Sequence, residues 1–390
     1  MISVQDALNS ILNHVPKLSV VTLPLSQSLG HTLAVDVHSP IHMPPFDNSA
    51  MDGYAIHEWS DSKYSVVGEI QAGVDASKTA LSQGEAVRIF TGAMVPSSAT
   101  TVVKQEITKR EGDSVVILEA FKSGGNIRRE GEQIKKGSLA LPAGATLDAA
   151  SIGYLAMLGI DEVSVYRNPI VKVLITGDEL VAAGTSLKPG QIYESNAVTL
   201  ISALNELGCD ASSVRVQDDY QATFETVGRL LQECDLLLTS GGISVGDYDF
   251  VGKAMQENGV DSHFYKVKQK PGKPLYYGST NSCQVFALPG NPASALTCAY
   301  IYVLPAIRKM MGAKNLHLEE RKLLLQNDYS KNAGLTHFLK GASEGNEVRS
   351  LEHQSSSMLD SFAAANCLII IPEDATQLNA GDFVSVYMLP

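Results

Sequence analysis

Hydrophobic and polar positions change period several times along the chain, and each change predicts a different element. Val4 to His14 carries apolar side chains at helical spacing behind Ser3, a natural N-cap, which predicts a short amphipathic helix. The helical signal then fades as far as Leu33. Between Tyr64 and Leu141 the runs YSVVGEI, AVRIF, TVVKQEI and SVVILEA alternate between Gly, Asp and Ser punctuation, which predicts a small β domain. Leu147 to Leu158 returns to helical spacing and Gly159 stops it.

From Pro169 strands and helices alternate. IVKVLIT reads as a strand, Asn196 to Leu207 as a helix closed by Gly208, SSVRV as a strand and Tyr220 to Glu233 as a helix. The apolar run after Asp235 predicts a buried strand, followed by a helix from about Asp247 to Asn258 and strands near His263 and Gln284. A long helix is expected from Asn291 to Met311. This order is that of a doubly wound α/β sheet with helices on both faces, whose ligands bind at the carboxyl ends of the strands. After Arg321 short strands return (KLLLQ, HFLKG, EVRSL, CLIIIPED, FVSVYML), predicting a small β barrel or sandwich.

At 390 residues, with roughly 150 per domain, two to four domains are expected. The pattern divides them into a mixed helical and linker unit (1–45 with 142–168), a small β domain (46–141), an α/β domain (169–316) and a C-terminal β domain (317–390). A net charge of −12 argues against a general nucleic-acid binder or an anionic membrane surface. The start of the chain lacks the basic-then-apolar pattern of a signal peptide, and the longest apolar run, Ala295 to Ile307, contains Pro305 and is too short to span a bilayer. It reads as a buried helix. The five cysteines include no CxxC pair, so no zinc knuckle or disulfide framework is expected and a reducing cytoplasm fits.

Candidate chemistry concentrates in turns. In TSGGISVGDYDF, Gly241 and Gly242 permit a tight turn out of a strand, and Asp247 stands where a helix would start, an arrangement that suits a phosphate. A plain strand-to-helix turn gives the same pattern. TGDE and LPGNPAS also follow strands, so the three turns are expected on one edge of the sheet. HMPPFDNSAMDGY, with two prolines and crowded small and acidic residues, reads as a functional loop or as a structural turn. Arg128 and Arg129 in NIRREGEQ are anion candidates, with solvated pairing to Glu130 and Glu132 as the alternative. Lys266, Lys268, Lys270 and Lys273 form a basic stretch around Pro271-Gly272; alternation would put the first three on one face, as anion ligands or as guards of an edge strand. Asp178, Glu179, Asp218, Asp219, Asp247 and Asp249 are oxygen donors of the kind Mg²⁺ takes beside phosphate, and helix capping is the other use of Asp247. The residues alone point to an Mg²⁺-assisted enzyme acting on a nucleotide or a phosphorylated substrate.

Taken together, PPFDNSAMDGYAI, FTGAMVP, NIRREGE, TGDEL, ESNAVTL, TSGGISVGDYDF, KPGKPL and LPGNPAS resemble the MoeA family of molybdopterin molybdenumtransferases, which also form the E domain of gephyrin. The resemblance runs the full length in the family's order. It implies an elongated four-domain chain whose α/β domain looks like the molybdopterin adenylyltransferase fold. It also implies cleavage of adenylylated molybdopterin, departure of AMP and insertion of molybdate at the dithiolene sulfurs with Mg²⁺ assisting, in a homodimer whose cleft is shared between subunits. An adenylyltransferase is a further partner it allows. Carried over by motif, the catalytic positions are Asp52, Glu179, Asp219, Lys266 and Lys270, and the metal positions Asp52, Glu179 and Asp249. Thr91, Gly241, Gly242, Ser244, Asp249, Lys273, Pro289, Gly290, Asn291 and Ser361 are expected to bind the substrate. Gln133 stands where the family usually has Asp, and Leu335 and Lys340 stand where the GR…F.RG pattern has arginines. Either the last domain contributes less to anion binding, or the substrate preference has moved. A scaffold using the same fold, and an adenylyltransferase-type enzyme, are the other functions to weigh.

Overall fold

The computed structural model describes residues 1–241 and 250–390. Ser3 caps the first helix, Val4–His14, by accepting from Asp6 N, and the Ala7, Leu8 and Ile11 face of that helix packs into the core of the α/β unit. Val20–Pro24 pairs antiparallel with Glu162–Tyr166, and Val37–His38 with Leu139–Leu141, so the segments on either side of the small β domain are zipped together. Between them a six-stranded sheet runs in the order Thr101–Lys104, Gly53–Ile56, Glu85–Ile89, Lys63–Ile70, Ser114–Ile117, Thr108–Glu111.

The α/β sheet has the order Asp210–Arg215, Ile170–Ile175, Leu236–Ser240, Gln284–Leu288, Tyr276–Ser279, Asp261–Tyr265. The first four strands are parallel, and Tyr276–Ser279 pairs antiparallel with both Gln284–Leu288 and Asp261–Tyr265. Side chains alternate across the sheet as a strand's period of two requires. Val171, Val173, Leu236, Leu238 and Phe286 face one core with the helices at Asn196–Glu206 and Pro292–Met310; Leu174, Leu237, Val285 and Ala287 face the other with Tyr220–Glu233 and Phe250–Glu257. The strand Tyr276–Ser279 is an addition to the sequence reading. The long helix expected from Asn291 to Met311 runs from Pro292 to Met310 but widens into a π turn at Ala299–Val303. Pro305 accounts for it: proline lacks an N–H and crowds the carbonyl four residues back. The helix from Phe250 to Glu257 falls within the one predicted, while the Asp247 cap lies outside the described residues.

The C-terminal strands close into a barrel: Thr336–Glu344, Glu347–Ser350, Glu320–Leu325, Phe383–Met388 and Cys367–Ile371, the last pairing back to the first. A short strand from the α/β unit, Gln269–Lys270, adds to this barrel parallel to Thr336–His337. The lysine alternation does not form. Lys266 has a φ of 71°, Ile2 bridges Val267, and buried Gln269 donates to Pro271 O and Gly272 O. Lys268 is paired with Glu373 at 2.8 Å.

Candidate functional site

Three parallel strands end in step, with Ile175 level with Ser240 and Ser240 level with Leu288. Their turns therefore emerge side by side, and Thr176, Gly177, Glu179, Ser240, Gly241 and Gly290 line one cavity of about 300 Å³. The three turns share an edge, as the strand order predicts. Gly177 and Gly241 have φ of 125° and 85°, conformations that favour glycine. The Glu179 carboxylate folds back over Gly177, where an added Cβ would stand 2.8 Å from Glu179 Oε2. Gly290 and Gly241 also meet closely, since a Cβ on Gly290 would lie 3.6 Å from Gly241 Cα.

Asn196 ties two of these turns together. It is the first residue of its helix, whose start is held by Glu194 Oε1 accepting from Ala197 N at 2.7 Å. Its Nδ2 donates to Ser240 Oγ at 2.6 Å and to Gly290 O at 2.7 Å, and its buried Oδ1 has no partner among the described residues. Of the two neighbouring aspartates, Asp218 lines the cavity and accepts from Asp178 N at 3.3 Å. Asp219, the residue expected from the motif, instead caps Tyr220–Glu233 by accepting from Ala222 N at 2.8 Å. Asp218 was among the oxygen-donor candidates of the sequence, whereas Asn196 and Thr223, which also line the cavity, were not singled out; the polar start of ESNAVTL was the available signal for the first.

A second cavity, of about 630 Å³, opens between the α/β unit and the barrel. Lys270, Lys273, Pro289, Asn291, Tyr329, Leu335, His337, Ser355 and Ser356 are among its lining residues. Pro289 and Asn291 thus face this cavity while Gly290 faces the other, so one three-residue turn is their common wall. Asn291 Nδ2 donates to Ser356 Oγ at 2.9 Å and Ser294 N to Ser356 O at 3.2 Å, fixing the turn from the barrel side. The loop bearing Ser356 is in turn held by Lys340, only 2% exposed, whose Nζ donates to His353 O, Ser355 O and Met358 O. Burial pushes the Lys340 pKa down, with Asp360 opposing. Ser361 is buried and donates to His353 O at 2.9 Å, so its hydroxyl serves the same loop. Lys266 lies outside both linings, its Nζ 4.7 Å from the Tyr265 ring centroid.

Asp52 and Thr91 sit on the small β domain and line neither cavity. Thr91 donates to Asp52 Oδ1 from both its backbone N and its Oγ1, each at 2.8 Å. These bonds, backbone first, lower the Asp52 pKa, and the Arg88 charge adds to the effect. Gly53 beside it is obligatory, because a Cβ there would stand 2.0 Å from Val103 O. Arg129 pairs with Asp47 at 2.6 Å, whereas Glu132 accepts only the Arg129 backbone N. Gln133 is exposed and its backbone N donates to Met43 O. Gly242, Ser244 and Asp249 lie outside the described residues. Among the described residues no three His, Cys, Asp or Glu side chains form a metal cage, and no helix is long and apolar enough to cross a membrane.

Comparison with known proteins gives this geometry a family. Residues 2–159 match the MoeA N-terminal region (domain I and II), 172–309 a probable molybdopterin binding domain, and 322–389 the MoeA C-terminal region (domain IV). A molybdopterin molybdenumtransferase of Haemophilus influenzae is 37% identical, covering 99% of this chain and 98% of its own. One from Nostoc sp. is 36% identical over 100% of this chain and 94% of its own. The crystal structure of the molybdopterin biosynthesis MoeA protein from Pyrococcus horikoshii superposes with a TM-score of 0.86 at 29% identity, over 100% of both chains. With its multidomain α/β and β architecture, its two cavities and its full-length likeness to these enzymes, the chain belongs to the MoeA family of molybdopterin molybdenumtransferases, enzymes of molybdenum cofactor biosynthesis.

Proposed function

We propose that the chain inserts molybdate into adenylylated molybdopterin with release of AMP, in an Mg²⁺-dependent reaction. The observation that carries this reading is the common wall Pro289–Gly290–Asn291, which divides a glycine-lined, carboxylate-bearing cavity from a lysine-bearing one. In this reading a nucleotide phosphate takes the first cavity and an oxyanion the second. On the first side, Gly241 and Gly290 let phosphate approach the main chain. Asp218 and Glu179 are hard oxygen donors there, of the kind Mg²⁺ takes beside phosphate. Glu179, with Asp249 and Asp52, would hold the ion, which when bound supplies Lewis-acid stabilisation of phosphate charge. On the second side Lys270 and Lys273 offset the charge of molybdate and of the pterin phosphate.

Asp52 is held ionised by Thr91 and so is suited to orienting a cation, yet it lines neither cavity of its own chain. A homodimer in which the small β domain of one subunit completes the cleft of the other accounts for this. Cytoplasmic action belongs to the same reading, supported by five cysteines that are all free and buried. Purified dimer given adenylylated molybdopterin, molybdate and Mg²⁺ should release AMP and yield cofactor that reconstitutes a molybdoenzyme apoprotein. A folded dimer that releases no AMP would overturn the proposal.

A further inference from the structure

In the lysine cavity one buried imidazole is unclaimed by the reaction as described so far. The strand pairing sets Lys270 level with His337 on the neighbouring parallel strand, and both residues line the cavity. His337 is 7% exposed, and its Nδ1 lies 2.8 Å from Tyr329 Oη with the two rings in a T-shaped contact at 71°. Among the described residues nothing bonds its Nε2. Burial, then the charges of Lys270 and Lys331, lower the His337 pKa to about 4, so the ring is neutral at working pH. Burial likewise raises the Tyr329 pKa, leaving that hydroxyl protonated and able to donate. A neutral imidazole that accepts at Nδ1 carries its proton on Nε2.

The cavity therefore lines up an ammonium and a neutral N–H donor, while Leu335 occupies the place of an arginine in the resembled pattern. Lys331 does not replace that arginine, because its Nζ is committed to Leu335 O and Glu373 O. We propose that His337 contacts the oxyanion substrate, its Nε2–H donating to a molybdate oxygen beside the Lys270 ammonium while Tyr329 fixes the tautomer. This rests on the reading of the lysine cavity as the molybdate site. A fully deprotonated tetrahedral oxyanion has an acceptor to offer every such donor, and a donor that loses water to the bound ion without gaining an acceptor is costly.

The test is calorimetric titration of the purified dimer with sodium molybdate alone at pH 8, on wild type, His337→Gln, His337→Phe, Tyr329→Phe and Lys270→Ala, each checked by thermal melting. His337→Phe should weaken binding by about tenfold, and His337→Gln, which keeps an N–H donor, by no more than about threefold. Tyr329→Phe, which leaves the imidazole in place, should fall between them. Should His337→Phe fail to fold, Tyr329→Phe decides: wild-type affinity in that variant overturns the tautomer argument. Wild-type affinity in His337→Phe together with loss in Lys270→Ala overturns the role of His337 and leaves the molybdate site standing. Absence of molybdate binding in the wild type, or no effect of Lys270→Ala, overturns both.

Discussion

Asn196→Ala separates positioning from stability. The substitution removes the two bonds from Nδ2 to Ser240 Oγ and Gly290 O, at 2.6 and 2.7 Å. Each is worth about 0.5–1.5 kcal/mol net, so about 1–3 kcal/mol is lost. The same change deletes Oδ1, a buried acceptor with no partner among the described residues, whose desolvation penalty is also about 1–3 kcal/mol. The two terms nearly cancel, and the unfolding free energy should move by less than about 1 kcal/mol. Turnover should not be spared. The turns after two strands lose their common tie, and misplacement by about 1 Å costs on the order of 100-fold in rate. Denaturant unfolding paired with AMP release at saturating and limiting substrate reads both quantities, with kcat expected to fall more than KM rises. Asn196→Asp should be worse than alanine in both measurements, because a carboxylate oxygen would then face the Gly290 carbonyl. An alanine variant with normal turnover, or an aspartate variant equal to it, refutes the clamp.

Lys340→Met should lower stability by about 2–4 kcal/mol in chemical denaturation, since three carbonyls lose one buried donor and only part of that loss is returned as relieved desolvation. His337 gives a pH signature. Its folded pKa of about 4 lies below the ordinary 6.5, so the unfolded chain takes the proton first as pH falls. The stability present above pH 6.5 should decline toward pH 4 by on the order of 2 kcal/mol, and His337→Gln should flatten that part of the profile in denaturation series. Lys270→Ala should cut molybdate affinity about tenfold while Lys268→Ala, whose ammonium is spent on Glu373, changes it less than about threefold; equal losses in calorimetry would mean that the lysines act as a diffuse field.

Elements that carry their own boundary signals were legible in the sequence. The helix Tyr220–Glu233 coincides with its apolar period, with Asp219 as its cap, and the first helix does so behind Ser3. The shared edge of TGDE, TSGG and LPGN followed from parallel strand order, which puts every strand's carboxyl end on the same side. What escaped depends on partners distant in sequence. Arg129 pairs with Asp47, 82 residues away, in preference to the acidic residues beside it. Tyr276–Ser279 is buried across its middle on both faces, so it shows no alternation to read. The lysine stretch does alternate in sequence, but the positive φ of Lys266 and the fully buried Gln269 break the strand that alternation implies. Asn196 sits at the start of a helix, where an asparagine looks unexceptional.

The two departures from the family's arginine pattern have different consequences because they fall on different layers. Lys340 lies beneath the loop from His353 to Met358 and spends its ammonium on that loop's carbonyls. A point charge suffices there: three carbonyls converging from different directions suit the three N–H groups of an ammonium, and no bidentate fork is needed. Through Ser356 the same loop holds Asn291, and Asn196 holds Gly290 from the opposite side, so the wall between the two cavities is fixed by an amide on one face and a lysine-supported serine on the other. Leu335, by contrast, lies in the cavity lining, where it removes a charge and adds apolar surface. The change at 340 thus bears on how firmly the wall is held, whereas the change at 335 bears on the charge and polarity of the cavity lining, where His337 is a polar neighbour.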